Sequence, residues 1–264
     1  MIAVQDILTI LSGGLVGLVL GLIGGGGSII AVPLLLYVVG IGSPHLAIGT
    51  SAIAVALSAL ANLVGHARAG KVKWPCALSF SAAGIAGAWA GSSLAMLVPG
   101  DKLLALFGGL MIVVGVVMAL RKDADGNPDV RLSFSTARQL LPLLLAVGFG
   151  VGTLAGFFGI GGGFLIVPGL MLATGMPIAN AIATSLVAVT AFGATTAANY
   201  ALSGLVDWRI AGLFVAGGIV GGIAGTWAGK KLADRKGSLA TIFAGFVIFI
   251  GIYVTWKGLA PIFA

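Results

Sequence analysis

Gly17-Leu18-Val19-Leu20-Gly21-Leu22-Ile23-Gly24-Gly25-Gly26-Gly27, running on to Pro33, is written a second time as Gly152-Thr153-Leu154-Ala155-Gly156-Phe157-Phe158-Gly159-Ile160-Gly161-Gly162, running on to Pro168. Ile48-Gly49-Thr50-Ser51 returns as Ile182-Ala183-Thr184-Ser185, Val72-Lys73-Trp74 as Val206-Asp207-Trp208, and Gly84 to Gly91 as Gly222 to Gly229. Order is kept at an offset of about 135 residues, the signature of a duplicated unit. Both glycine runs sit inside long apolar stretches, so each half holds a membrane segment with a glycine-rich break.

Composition excludes a water-coated globule: 59% of the residues are hydrophobic and 8% charged, too little polar surface to cover a soluble core. Apolar stretches of bilayer-crossing length recur at 7–24, 45–66, 75–98, 103–120, 139–158, 178–201, 208–229 and 239–258, each near the roughly 20 residues a spanning helix needs. The expected fold is an all-α polytopic membrane protein of two homologous repeats, with about eight transmembrane helices and glycine-broken half-helices, or eight to ten membrane segments. No basic residue precedes the first stretch, which reads as a membrane segment and not a removable leader. Cys76 is the single cysteine, so no intrachain disulfide is possible and no metal site or cofactor is expected.

Each glycine run leaves a short apolar piece behind it, 28–39 and 164–175, about 18 Å as helix. That is half a bilayer. Glycine weakens a helix, and open backbone at membrane depth survives only inside protein or beside a water-filled cavity. If each break forms a hairpin, every half has five segments and the second half is inverted; a kinked single helix gives four and parallel halves. Charge favours the hairpin. With five segments, Arg68, Lys71, Lys73, Arg121, Lys122, Arg131, Arg138, Lys230, Lys231, Arg235 and Lys236 share one side, 11 of the 14 basic residues. With four the division is nine to five, a weaker asymmetry under the positive-inside rule. The chain therefore divides into an N-terminal membrane repeat (1–120), a cytoplasmic linker (121–138) and a C-terminal membrane repeat (139–264), with both termini outside. The net charge of +7 follows from this orientation and implies no nucleic-acid partner. The linker run Asp123 to Asp129 is similar to a calcium loop but lacks the closing glutamate.

A helix that starts after a glycine run directs free N–H groups and its positive dipole end back at the break, an arrangement suited to an anion. Gly24, Gly25, Gly26, Gly27 and Ser28, with Gly159, Gly161, Gly162 and Gly163, are accordingly candidate binding positions. Gly17, Gly21, Gly152 and Gly156, spaced by four, read instead as helix packing. A Rossmann reading of the second run fails for want of a βαβ unit. Downstream, Ser51, Ser58 and Asn62 lie on one helix face with His66, and Ser185, Thr196 and Tyr200 repeat that stripe beside Thr184 and Asn199. Thr50, Ser51, Asn62, Thr184, Ser185 and Asn199 are candidate donors to the same anion, and His66 and Tyr200 candidate proton or anion contacts. His45, in a short loop beside Pro44, is not expected to be a ligand. No acidic residue falls inside a span, which argues against a carboxylate proton relay.

The glycine-rich break followed by proline, the later Thr-Ser, the tryptophan opening the next segment, and their duplication resemble the TauE/SafE sulfite exporter family, also called the sulfonate uptake permease family. The resemblance covers essentially the whole chain. It implies a multi-pass transporter of the prokaryotic inner membrane, moving sulfite, thiosulfate or organosulfonates, with protons as a possible coupling ion and the lipid bilayer as its partner. Direction of transport and oligomeric state are left open. Two further classes stay open beside it. One is an anion channel. The other is a membrane subunit of a sulfur-metabolising complex, in which Cys76 would be the sole covalent nucleophile; no Ser-His-Asp or metal cluster can be assembled, so an enzyme is not expected.

Overall fold

The computed structural model describes residues 2–23, 25–120, 134–159, 163–231 and 236–263, and among them every regular element is helical. Eight helices have bilayer-crossing length: α1 (Ile2–Ile23), α3 (Pro44–Arg68), α4 (Trp74–Met96), α5 (Gly100–Leu120), α6 (Phe134–Phe158), α8 (Ile178–Leu202), α9 (Trp208–Lys231) and α10 (Lys236–Phe263). Two are short. Half-helix α2 (25–38) passes from a 3-10 stretch, Gly25–Ile30, through one α turn, Ala31–Pro33, into a π turn, Leu34–Val38. Half-helix α7 spans Gly163–Thr174. Each is followed by a left-handed glycine, Gly40 at φ +82° and Gly175 at φ +70°, a conformation that costs glycine nothing and ends the helix. Helix α6 begins at Phe134, so the last five residues assigned to the linker are helical; the rest of the linker lies outside the described residues.

Six helices are both long and apolar enough to cross a membrane: α1, α3, α5, α6, α8 and α9. In α4 the length suffices, but a run of Ser, Gly and Ala makes the helix less apolar. For α10 the described apolar stretch is Ala244–Ala260.

Half-helix α2 folds back along α1. A methyl on Gly27 would lie 2.6 Å from the Leu20 nitrogen and 2.9 Å from the Val16 oxygen, and at the far end Gln5 Nε2 donates to the Val39 carbonyl at 3.2 Å. The break is therefore a hairpin. Gly169 of α7 likewise lies against Val147 and Val151 of α6. We call the face where α1 begins the upper face.

Glycine contacts fix the helix directions. Gly13, Gly17 and Gly21 of α1 meet Phe214, Gly218 and Gly222 of α9, so this pair is parallel. Gly148, Gly152 and Gly156 of α6 meet Phe80, Gly84 and Ala88 of α4, again in parallel. In both pairs backbone touches backbone, which only glycine permits and which membrane helices use in place of a hydrophobic drive. The repeats thus exchange partners, the first helix of each lying along the fourth of the other. Equivalent helices run oppositely: Gly49 of α3 lies against Tyr200 and Leu205 while Gly193 of α8 lies against Ala52 and Ala56, and Gly108 and Gly115 of α5 meet Gly251 and Ala244 of α10 in reverse order.

Helices α3 and α8 form the centre. In their membrane-length stretches 72% and 61% of residues are buried, against 28% in α6 and 44% in α9. The half-helices α2 and α7 pack on each other and against this pair, while α5 and α10 stand together at the periphery. Trp74 at the lower start of α4 and Trp208 at the upper start of α9 are exposed, where amphipathic rings mark the two membrane interfaces.

Candidate functional site

Thr50 and Thr184 occupy equivalent positions and make equivalent bonds, each to the other repeat. The Asp207 backbone N–H donates to Thr50 Oγ1 at 3.0 Å, and the Lys73 N–H to Thr184 Oγ1 at 3.1 Å. Asp207 and Lys73 themselves open α9 and α4, so each threonine ties a central helix to the start of a scaffold helix. Thr50 does this near the upper face and Thr184 near the lower. Both side chains are fully buried. A hydroxyl that accepts a bond keeps its own proton to donate.

Ser51 brings the repeats together at a break. Its Oγ donates to the Ile48 carbonyl at 2.9 Å and approaches the Gly159 carbonyl at 3.3 Å. Gly159 closes α6 at φ +66°, and a methyl there would overlap Ile48 Cγ2. The second break is therefore faced by α3 of the first repeat. Conversely, the start of α2 packs on α8, where Ser185 Oγ donates to the Ile182 carbonyl at 2.8 Å. Both serines hold a carbonyl three residues back in their own helix, as membrane hydroxyls do. Ser28 and Gly163, at the starts of the half-helices, are buried. Gly25 and Gly26 form the first turn of α2; Gly24, Gly161 and Gly162 lie outside the described residues.

The asparagines lie elsewhere. Asn62 donates through Nδ2 to the Ser58 carbonyl at 2.9 Å and accepts from Thr226 Oγ1 at 3.2 Å, facing Gly222 of α9. Asn199 donates to Ser92 Oγ at 2.7 Å and Ser93 Oγ at 2.9 Å on α4. The Asn62 side-chain carbonyl ties α3 to α9, and the Asn199 amide protons tie α8 to α4. Asn199→Ala is therefore expected to lower stability in detergent by about 1 kcal/mol, read as a lower denaturation midpoint. His66 is half-buried in the last turn of α3 at the lower face. Tyr200 is fully buried at the upper end of α8.

Asp6, Asp101 and Asp207 all lie at helix starts on the upper face, and Asp6 pairs with Arg209 at 2.6 Å. Among the described residues no three His, Cys, Asp or Glu side chains come together to hold a metal ion. Cys76 is buried near the start of α4.

No solved structure matches the chain. It is 49% identical over 258 residues to a protein of Xylella fastidiosa (strain 9a5c) named "Probable membrane transporter protein", covering 98% of both chains. It is 27% identical over 270 residues to "Probable membrane transporter protein YunE" of Bacillus subtilis (strain 168), covering 96% of this chain and 98% of that one. Similarity extends to an archaeon, at 28% identity over 166 residues with "Probable membrane transporter protein MJ0441" of Methanocaldococcus jannaschii, 61% of this chain and 60% of that one. The family model for "Sulfite exporter TauE/SafE" matches residues 9–254. With a single family model spanning both halves of the chain, the protein belongs to the TauE/SafE sulfite exporter family of membrane transporters.

Proposed function

We propose that the protein is a secondary transporter of a small sulfur oxyanion, held between the two glycine breaks and released to either side as the repeats move against each other. The supporting observation is the meeting of the half-helices: α2 and α7 pack together, each starting at a break that the central helix of the other repeat covers. Two helix starts bring free N–H groups and positive dipole ends to one region. The hydroxyls of Thr50 and Thr184 supply further donors, and those of Ser51 and Ser185 do so by turning away from their own helices.

In this reading the threonine bonds are latches at opposite faces. Opening the upper face separates Thr50 from Asp207, and opening the lower separates Thr184 from Lys73. The basic helix ends at the lower face, Arg68, Lys71, Lys73, Arg138, Lys230, Lys231 and Lys236, make it cytoplasmic under the positive-inside rule, against Lys102, Arg209 and Lys257 above. The bilayer concerned is then the inner membrane of a prokaryote. The membrane potential assists anion exit by about 2.3 kcal/mol per charge per 100 mV. Uptake would need a coupled ion, and export would not.

Saturable movement of radiolabelled sulfite, thiosulfate, sulfate or a small sulfonate into proteoliposomes is the direct test, run with and without a pH gradient. Conductance far above carrier rates would replace the carrier with a channel, and movement of no anion would remove the reading altogether. Thr50→Val with Thr184→Val is expected to weaken binding of the transported anion by about a hundredfold or more, one hydrogen bond to a charged group lost at each position; an unchanged affinity would take the threonines out of the site. For orientation, Lys71→Cys in a Cys76→Ser background is expected to react with an impermeant maleimide only after cells are permeabilised. Lys102→Cys is expected to react in intact cells.

A further inference from the structure

Two neighbouring rings at the upper end of the α3–α8 seam each carry a buried polar atom without a partner among the described residues. Tyr200 is 0% exposed and its hydroxyl has no hydrogen-bond partner among the described residues; nor has His45 Nδ1. Their ring centroids lie 6.4 Å apart with planes tilted by 30°. Gly49 makes room for this approach. A methyl there would stand 2.9 Å from Tyr200 Cβ and 3.1 Å from Cδ1, so the tyrosine ring fills the space of a missing side chain one helical turn from His45.

The same place is the start of a 25-residue helix. Pro44 opens α3 and has no N–H to give; Ser43 supplies no side-chain cap, and the first N–H to return a backbone bond is that of Ala47, to the Ser43 carbonyl at 3.0 Å. The N–H groups of His45 and Leu46 are thus the uncommitted donors of the first turn, at the positive end of the helix dipole. Two amide N–H groups at a positive helix end, with a phenol O–H and an imidazole nitrogen that can each donate, make a set suited to an oxyanion.

We propose that His45, Tyr200 and the first turn of α3 form an outer oxyanion site, separate from the glycine breaks, where the transported anion waits on the upper face. The proposal rests on the transport reading for its ligand. Ser51 stands six residues further along α3, about 9 Å deeper, so the outer site leads directly to the break that Ser51 faces. It exists on one face only. At the offset that carries Thr50 to Thr184, His45 becomes Ala179 and His66 becomes Tyr200, so the lower face has one such ring and lacks the second. Asp101, the nearest acid in sequence to the Gly100 contact with Pro44, is exposed at the start of its own helix.

Equilibrium binding of radiolabelled sulfite to the full chain in nanodiscs tests this. The wild-type chain is expected to hold two sulfites, Tyr200→Phe and His45→Ala one each, and Thr50→Val with Thr184→Val to keep the outer one. Tyr200→Phe retains the ring that packs on Gly49, so its melting temperature should stay with that of the wild type. Two sulfites on Tyr200→Phe would overturn the outer site, as would a single wild-type sulfite that the threonine pair removes. A single wild-type sulfite lost in Tyr200→Phe and kept in the threonine pair would support the outer site and overturn the central one. No sulfite on the wild-type chain overturns both.

Discussion

Gly159→Ala is expected to abolish anion transport, and Gly175→Ala to leave most of it. Both glycines sit in the left-handed region, at φ +66° and +70°, where an alanine pays about 1–2 kcal/mol for its Cβ. Their surroundings differ. A methyl at Gly175 meets nothing within 4 Å, whereas one at Gly159 runs into the buried Ile48 side chain. Ile48 is locked in turn, because it is 2% exposed and its carbonyl accepts from Ser51. The second break would therefore have to move away from α3, taking the start of α7 with it. Proteoliposome uptake with melting temperatures in parallel separates the two terms: equal activity for both variants would mean that the position of the break does not matter. Restoration of uptake by Ile48→Ala in the Gly159→Ala background would assign the loss to the overlap.

Gly152→Leu is expected to prevent assembly, with Gly150→Leu, on the same helix, nearly neutral. A methyl at Gly152 would already overlap the Gly84 carbonyl and lie 2.6 Å from Gly84 Cα, backbone that no rotamer can relieve. Three further carbons would force α6 and α4 apart along their whole contact, including Gly148 on Phe80 and Gly156 on Ala88. Gly150 is exposed and has nothing within 4 Å, so a leucine there adds a lipid-facing side chain. Yield of monodisperse protein after size-exclusion chromatography distinguishes them. Gly17→Leu should fail like Gly152→Leu, since its backbone lies against Gly218 in the equivalent pair. Normal yields from both would mean that the parallel pairs do not hold the repeats together.

Much of the frame was legible in the residues. Apolar length and glycine content are local properties, and they located eight long helices and two short ones within a few residues of α1 to α10. Charge favoured a hairpin at each break over a kinked helix, because basic residues gather on one face whatever the packing, and the half-helices do fold back. Pro33 and Pro168 marked the half-helices, although nothing local announced the π turn after Pro33. The glycines spaced by four at 17, 21, 152 and 156 read as packing surfaces, and they pack.

Partnership was not legible. Duplication implied two like units, yet each lends its first helix to the other, since close-packed glycine faces accept whichever glycine face comes nearest. Asn62 and Asn199 shared a stripe with the serines in sequence, but helix rotation aims them at α9 and α4. His45 had no local mark of a ligand; its interest comes from Tyr200, 155 positions later in the sequence. The place and length of the apolar segments could be read from the residues alone, because these depend on how each stretch partitions between water, interface and hydrocarbon. Which hydroxyl meets which backbone, from Thr50 on Asp207 to Ser51 at Gly159, came from packing, because a hydrogen bond between residues more than a hundred positions apart is set by how whole helices pack.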